Sequence, residues 1–328
     1  MTMKELAKLA GVSPSAVSRY LNGGSLSPEK RAVIREAIEK TGYEPDMAAQ
    51  ALRTRTTDLI GIVVPRLDSE AVSRMAAGAS EVLSREGYVC QFAVSGMDPE
   101  QELNQLRLFQ TRSVAGVILM ATVCTREHER FLHDLPIPAV VVGQKYRSVC
   151  SVYHDDYGAA LELTRLVLRR GRSHPVYIGV TERDAAVGVS RRRGVEAGLR
   201  EFGLDPEALP AALSDFSLES GREAMQRLLA EHPELDAVIC ATDHIAFGAM
   251  EALRAAGRRL PEDVSVVGVG DSWACSHISP HLTSSRFYYR ASGQEAARML
   301  VELLRSDAPV RHIRQTMLSY TIQIRDSI

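Results

Sequence analysis

The chain has 328 residues, enough for two average domains, or for three if one of them is small. It is 45% hydrophobic and 24% charged, a composition typical of a soluble globular protein, which excludes a disordered, a collagen-like or a membrane-embedded chain. The 39 Lys and Arg residues nearly balance 41 Asp and Glu residues, and this formal charge of −2 argues by itself against a nucleic-acid binder.

The ends and the cysteines of the sequence indicate the compartment. No apolar run reaches the roughly 18 residues of a membrane helix, and the start, MTMKELAKLA, has no signal-peptide core, so a cytoplasmic protein is expected. The five cysteines are odd in number, widely scattered and without metal-ligand spacing. Reduced thiols are therefore expected, with no metal site and no cofactor.

The first 45 residues show the pattern of three short helices separated by strong stop signals. Each helix has a start signal, in chain order Thr2 with Glu5, Ser13 with Pro14, and Ser27 with Pro28. Two helices joined by a glycine-containing turn and backed by a third form the helix-turn-helix layout, in which the second helix enters the DNA major groove. A three-helix bundle without a nucleic-acid role is the alternative.

The charge is unevenly distributed between this head and the rest of the chain. Residues 1–58 carry a formal charge of +2, and the remaining 270 residues carry −4. The overall charge of −2 therefore hides a mildly basic head, which gives weak electrostatic support to DNA binding.

From Leu59 onward, short apolar runs alternate with amphipathic helical stretches, which predicts an α/β fold. One series of runs is LIGIVVP, VCQFAV, VAGVILM and PAVVVG, and a second is PVYIGV, LDAVICA and VSVVGVG. Such alternation predicts parallel sheets with helices on both faces, here as two similar lobes. A ligand is expected at the carboxyl ends of the strands, in the cleft between the lobes.

The head and the body both resemble one family. The segments TMKELAKLAGVSPSAVSRYLNG and LSPEKRAVIREAIEKTGYEPDMAAQAL resemble the head of the lactose-repressor (LacI) family of bacterial transcription regulators. The body segments VVPRLDSE, GVSRRRGVEAG, ATDHIAFGAMEALRAAGRRLPEDVSVVGVGD and SPHLTSSRF resemble that family's effector-binding domain, which is similar to periplasmic sugar-binding proteins. The resemblance covers essentially the whole chain.

The resemblance implies how the domains divide. A helix-turn-helix DNA-binding head is expected over residues 1–45, a hinge helix and linker over 46–58, and an effector-binding and dimerisation body over 59–328. Within the body, the first lobe is expected at about 59–154 plus 287–306, and the second lobe at about 155–286 plus 307–328.

The resemblance also implies the contacts with DNA. The start of the second helix would read base edges, and a leucine of the hinge helix would wedge into the minor groove and kink the duplex. The implied DNA-binding residues are Thr2, Ser13, Pro14, Ser15, Ala16, Ser18, Arg19, Asn22, Ala49, Leu52 and Arg53. One departure is Asp46, because the family usually has asparagine at that position.

For the body, the resemblance implies an effector site of carboxylates, arginines and one aromatic residue, a set that suits a sugar. The implied residues are Arg66, Asp68, Gln144, Asp184, Arg191, Phe216, Thr242, Asp243 and Asp271. The Thr-Asp and Gly-Asp choices at 242–243 and 270–271 look more like the sucrose- and trehalose-operon repressors of the family. In the trehalose subgroup the arginine that corresponds to Arg66 faces a sugar phosphate. The effector could therefore be sucrose, fructose, trehalose or one of their 6-phosphates.

These observations predict a sugar-responsive regulator, a repressor that binds a pseudo-palindromic operator as a homodimer, with a tetramer as an option. By analogy with the family that the chain resembles, residues 71–84 and 96–111 are expected to supply dimer contacts. A sugar-binding module of a transport system and a sugar-converting enzyme are the alternatives. Against an enzyme, no nucleotide-binding glycine motif or GxSxG elbow is found, Pro280 disfavours a zinc site at His277 and His281, and no catalytic residue is predicted.

Overall fold

A computed structural model of the protein describes residues 1–21, 24–43, 57–112, 114–306 and 313–328. The chain divides into two compact units, residues 1–57 and residues 58–328, and each is described by itself. Within the described ranges, no helix is both long enough and apolar enough to cross a membrane.

The head unit contains three helices: α1 Met3–Leu9, α2 Pro14–Leu21 and α3 Pro28–Thr41. The predicted capping box is present, because the Glu5 N–H donates to the Thr2 hydroxyl and the Thr2 N–H donates to the Glu5 carboxylate. Ser27 caps α3, and Gly42 ends it in the left-handed conformation at φ 60°.

The core of the head receives one large side chain from each helix. Leu6, Val17 and Ile34 are completely buried, and small alanines fill the space around them. The apolar positions follow the helical repeat that the sequence shows, so packing and local propensity agree on the same three-helix unit.

The body unit contains two lobes, each built on a six-stranded sheet. The first lobe begins with β1 Leu59–Val64, α4 Glu70–Arg85, β2 Val89–Val94, α5 Pro99–Thr111, β3 Gly116–Met120, α6 Arg126–Asp134, β4 Ala139–Val142 and β5 Cys150–His154. The second lobe contains α7 Asp156–Arg169, β6 Pro175–Gly179, a π-helical turn Ala185–Ser190, α8 Arg191–Glu201, β7 Ala211–Leu213, α9 Leu218–Glu231, β8 Ala237–Cys240, α10 Asp243–Ala255, β9 Ser265–Gly270 and β10 Thr283–Phe287. The chain then continues through α11 Tyr289–Arg305, β11 Gln315–Leu318 and β12 Tyr320–Gln323.

Both sheets have the predicted parallel, helix-covered arrangement. The strand orders are β11-β5-β4-β3-β1-β2 and β12-β10-β9-β8-β6-β7, and the pairing of β10 with β12 is antiparallel. In β1, Ile60, Ile62 and Val64 pack in one core while Val63 packs in another, because successive side chains of a strand point to opposite faces. Helices cover both faces, which explains the continuous apolar runs in the sequence.

The path of the C-terminal segment corrects one expected boundary. All of residues 307–328 were expected in the second lobe, but β11 pairs with β5 in the sheet of the first lobe. Phe287, expected in the first lobe, ends β10 in the second. One residue joins β11 to β12, too short a link to turn the chain back within one sheet, so these short strands lie on the edges of different lobes.

Helices α4 and α11 pack unusually closely because glycines lie where they meet. A Cβ atom placed on Gly293 would collide with the carbonyl oxygen of Met75, and one placed on Gly78 would collide with the carbonyl oxygen of Arg290. Both contacts are with backbone atoms, which cannot rotate away as a flexible side chain would.

We expect Gly293→Ala to lower the free energy of unfolding of the body by about 1–3 kcal/mol, because the added methyl group overpacks the α4–α11 contact. Urea unfolding followed by circular dichroism measures this change. Arg298→Ala, at an exposed position of the same helix, is the control and should have little effect. Equal stability of the two variants would contradict the packing argument.

Candidate functional site

The loops that follow the parallel strands of both lobes converge on one cavity of about 500 Å³ between the lobes. Residues that line it lie in the segments that follow β1, β3, β4, β6, β7, β8 and β9. Ligands of open parallel sheets bind at this end of the strands, because the loops there diverge and leave a crevice. The position of the cavity therefore follows from the topology of the two sheets.

A buried ion pair lies in the wall of the cavity. Arg191, the first residue of α8, donates from Nε to a carboxylate oxygen of Asp156 at 2.8 Å, and each side chain is only 6% exposed. A second guanidinium nitrogen donates to the carbonyl oxygen of Ala241 at the end of β8. The guanidinium also lies over the ring of Phe287, 5.3 Å from its centroid. This arginine is therefore held rigidly in a water-poor environment.

Asp184 connects the two lobes across the cavity. Its Oδ1 atom accepts hydrogen bonds from the N–H groups of Ala186 and Val187, at the start of the π-helical turn, and from Nε2 of Gln144 at 2.7 Å. Gln144 follows β4 in the first lobe, so this last bond crosses the cleft. Burial raises the pKa of Asp184 above its usual value.

Thr242 and Asp243 lie at the start of α10. The hydroxyl of Thr242 caps the helix, and the Asp243 carboxylate accepts bonds from the Ser284 hydroxyl at 2.6 Å and the Ser272 N–H at 2.7 Å. Burial raises the pKa of Asp243, although these two donors oppose the shift. Both oxygens already have a partner within the second lobe, so this carboxylate also fixes the loop after β9.

His154, at the end of β5, is a buried histidine that lines the cavity. Its ring stacks on Phe287 with 4.8 Å between centroids and meets Tyr289 edge-on. Burial lowers its pKa to about 4, and the nearby Arg191 lowers it further while Asp156 opposes the shift. Its Nε2 atom has no hydrogen-bond partner among the described residues, which is uncommon for a buried polar atom.

The rim of the cavity carries two further arginines, and both are paired. Arg66 forms two hydrogen bonds with Asp68, at 2.5 and 2.7 Å, and Arg74 pairs with Glu70 one turn away on α4. Glu70 also accepts a bond from the N–H of Trp273, across the cleft. All three arginines that line the cavity are therefore already bonded to carboxylates.

Backbone strain is concentrated around the same cleft. Among the described residues, the only non-glycine residues at positive φ are Met97, Phe216 and Asp271, at 63°, 76° and 51°. They lie in the loops that follow β2, β7 and β9 respectively. Strain of this kind persists where the surrounding structure enforces it, and binding sites are a common location.

The structure brings together eight of the nine residues expected at the effector site. These eight line the cavity: Arg66, Asp68, Gln144, Asp184, Arg191, Phe216, Thr242 and Asp243. The ninth, Asp271, does not line it, because its carboxylate is bonded to Arg286 at 2.6 Å and to Arg325 at 2.5 Å. Its neighbour Gly270 lines the cavity instead.

Sequence reasoning missed several residues that line the cavity, Asp156 above all. Asp156 is the first residue of the helix that follows β5, two residues beyond His154, and this position at the carboxyl end of a strand is the signal that would have identified it. A further group is apolar and lies on the side of the first lobe, namely Val72, Met75, Met97 and Met120. These residues carry no chemical signature in a sequence, because buried methionine is ordinary core material.

In the head unit, the start of α2 presents polar groups on its surface. Ser13, Pro14, Ser15 and Arg19 are exposed, Ser18 is partly buried, and Thr2 is exposed at the cap of α1. Ala16 is only 4% exposed and packs in the head core, so its side chain is not available to a base edge, contrary to expectation. Four other expected DNA contacts lie outside the described residues, as does most of the hinge: Asn22, Ala49, Leu52 and Arg53.

Two family models match the chain. The model of bacterial regulatory proteins of the lacI family matches residues 2–46, and that of a periplasmic binding protein-like domain matches residues 164–328. The sucrose operon repressor of Staphylococcus xylosus is 30% identical over 300 residues, which cover 92% of each chain. The chain belongs to the lacI family of bacterial regulatory proteins.

Two further comparisons agree with this membership. The HTH-type transcriptional regulator CelR of Thermobifida fusca is 31% identical over 331 residues, covering 97% of this chain and 96% of its own. A solved transcriptional regulator CelR-cellobiose complex matches with a TM-score of 0.76 at 28% identity, over 100% of this chain and 99% of that one. This lacI-family chain is a DNA-binding transcription regulator with a periplasmic-binding-protein-like body, and it is not an enzyme.

We predict that His154 makes the stability of this lacI-family body depend on pH. Its folded pKa of about 4 lies below the ordinary 6.5, so between these values the unfolded chain binds a proton that the folded chain excludes. The stabilisation is complete above pH 6.5 and decreases by about 3 kcal/mol as the pH falls towards 4. His154→Phe should flatten this part of the stability–pH curve, measured by urea unfolding at each pH.

The control for this prediction is Phe202→Leu. Phe202 is 41% exposed and is not ionisable, so this substitution neither adds nor removes a titrating group and should leave the slope between pH 4 and 6.5 unchanged. If His154→Phe kept the wild-type slope of the stability–pH curve, the burial of neutral His154 would not be the cause of that slope.

Proposed function

We propose that this chain is a cytoplasmic, sugar-responsive repressor that binds operator DNA as a homodimer and is switched by a free sugar between its lobes. The observation that carries the proposal is the buried Arg191–Asp156 pair in a 500 Å³ cavity, on the same chain as a capped helix-turn-helix head. A rigid guanidinium among carboxylates and an amide suits the hydroxyl groups of a sugar. Relatives named for sucrose and cellobiose support the same ligand class.

The charges around the cavity favour a free sugar over a phosphorylated one. Six carboxyl groups line it against three arginines, and each arginine is bonded to one of these carboxylates. A phosphate would have to displace a carboxylate from its arginine and remain near the others, since like charges at close range repel. Arg66, the expected phosphate contact, is held by Asp68 through two hydrogen bonds.

The edge of the first lobe supports dimerisation. Strand β2 lies at the end of its sheet and exposes Val89, Phe92 and Val94 by 54%, 43% and 43%. Leu108 of α5, inside the expected contact segment 96–111, is also 39% exposed. Unpaired apolar edge strands favour association, and a second copy would cover this one.

Dimerisation matters for DNA binding because one head is only mildly basic, at +2 for residues 1–58. Two heads on a two-fold axis would contact the two halves of a pseudo-palindromic operator at once. The second contact then becomes intramolecular, which raises affinity without any new chemistry. Any change in the spacing of the two heads would therefore alter occupancy of the operator.

We predict that Arg19→Ala weakens binding to an operator duplex by about 5–150-fold, because an arginine that contacts a base is worth roughly 1–3 kcal/mol. Fluorescence anisotropy with a duplex from the region upstream of neighbouring sugar genes measures this, against random DNA. Arg35→Ala removes the same charge from an exposed site on α3 and is the control. Equal losses in both variants would mean that only net charge is sensed.

We also predict that free sucrose, trehalose or fructose binds more tightly than its own 6-phosphate. Trp273, the single tryptophan, lies at the cleft and contacts Glu70 of the other lobe, so its fluorescence should report binding. Asp68→Asn removes the carboxylate that is bonded to Arg66. It should therefore reduce the difference in affinity between each free sugar and its 6-phosphate.

Asp263→Asn, which breaks an exposed pair with Arg259 in the second lobe, is the matched control. Tighter binding of a 6-phosphate by the wild-type chain would refute the preference for a free sugar, while leaving a sugar-responsive regulator in place.

A further inference from the structure

A second, smaller cavity of about 190 Å³ lies between the lobes beside the first and is here called the outer cavity. Four residues line both cavities, namely Met97 and Thr122 from the first lobe and Asp184 and Phe216 from the second. The two spaces are therefore neighbours with a common wall. Ligand pockets usually measure about 300–1,000 Å³, so the outer cavity has room for about one sugar ring and not for a whole ligand.

The common wall is built from both lobes and is strained on both sides. Met97 and Phe216 are both held at positive φ, a conformation that costs about 1–3 kcal/mol in a residue with a side chain. Because Met97 and Phe216 each line both cavities, they lie between the two spaces that an extended ligand would occupy.

The chemistry of the outer cavity is mixed, as a sugar ring requires. Pro99 and Val123 supply apolar surface for the C–H face of a ring, while Thr181 and Arg183 supply polar groups for its hydroxyls. Within the described part of the chain, no carboxylate pairs with Arg183, in contrast to the three arginines of the main cavity. A site for phosphate would instead present several donors and little apolar surface.

Asp184 is placed to contribute to both spaces. Its Oδ1 atom accepts three hydrogen bonds, while Oδ2 accepts none from the described residues. One carboxylate oxygen is thus committed to the protein framework, and the other remains available to a hydroxyl at the boundary of the two cavities.

We propose that the outer cavity is a second sugar subsite, and that the effector is an oligosaccharide whose terminal ring lies against Thr181 and Arg183. The rest of the ligand occupies the main cavity beside Arg191 and Asp156. This inference rests on the proposed sugar-responsive function and adds a minimum length to the ligand.

The test uses the full chain and isothermal titration calorimetry with two series of sugars in which each member has one ring more than the one before: glucose, cellobiose and cellotriose, and fructose, sucrose and raffinose. In the series that binds, one added ring should raise affinity by about tenfold or more, because it brings new contacts without new ordering of the protein. Thr181→Trp fills the outer cavity from an exposed position and should abolish that gain while the shorter sugar binds as before.

Thr181→Val, which nearly keeps the volume of threonine, is the matched control and should retain most of the gain from the added ring. Unchanged melting temperature and unchanged operator binding show that Thr181→Trp is folded. A gain that survives in Thr181→Trp, or no gain with length in the wild-type chain, overturns the second subsite while the proposed function stands.

The remaining outcomes are also decisive. If no sugar of either series binds the wild-type chain, the proposed sugar response fails, and the subsite with it. Glucose 6-phosphate or fructose 6-phosphate could bind more tightly than its free sugar and lose that advantage in Arg183→Ala. The outer cavity would then bind an anion, and the oligosaccharide inference would be wrong.

Discussion

The ion pair between Arg191 and Asp156 is the constraint on which the arrangement of the cleft depends. It joins the first residues of α7 and α8, and its second bond, to the Ala241 carbonyl, adds the end of β8. A buried ion pair contributes little net stability, since desolvation offsets the attraction, but loss of one partner leaves an uncompensated charge at a cost of about 3–5 kcal/mol. The chain therefore holds three structural elements at fixed positions, and a guanidinium with its orientation set in advance.

The other groups of the cleft are placed by the same topological rule. Parallel strands bring their carboxyl ends to one edge of each sheet, and the two edges face each other across the cavity. Capping then decides which polar atoms remain available. Asp184 and Thr242 each accept, through one side-chain oxygen, hydrogen bonds from backbone N–H groups of the helical turn that follows. The same side chains therefore cap helices and line the cavity.

The sequence alone predicted the structure correctly where the local pattern agrees with the fold. It failed where contacts with distant segments determine the orientation of a side chain. Alternating apolar runs predicted both sheets, and the resemblance placed Arg191 and seven more residues at the cavity. Asp271 was misplaced because its orientation depends on Arg286 of β10 and on Arg325, which lies just after β12. For Ala16, the resemblance implied a contact with DNA, but the packing of the three head helices buries its side chain in the head core.

The polar contacts that cross the cleft suggest how a ligand could change the regulator. Gln144 donates to Asp184, the Trp273 N–H donates to Glu70, and Arg74 donates to the carbonyl oxygen of Asp271. A hydrogen bond of this kind is worth about 0.5–1.5 kcal/mol, or about 1.5–3 kcal/mol where a charged group takes part. A coupling free energy of about 1–3 kcal/mol already changes affinity for DNA by about 5–150-fold. Exchange of one or two of these contacts for contacts with a sugar therefore involves enough free energy to shift the lobes, and none of the three hydrophobic cores of the body has to be repacked.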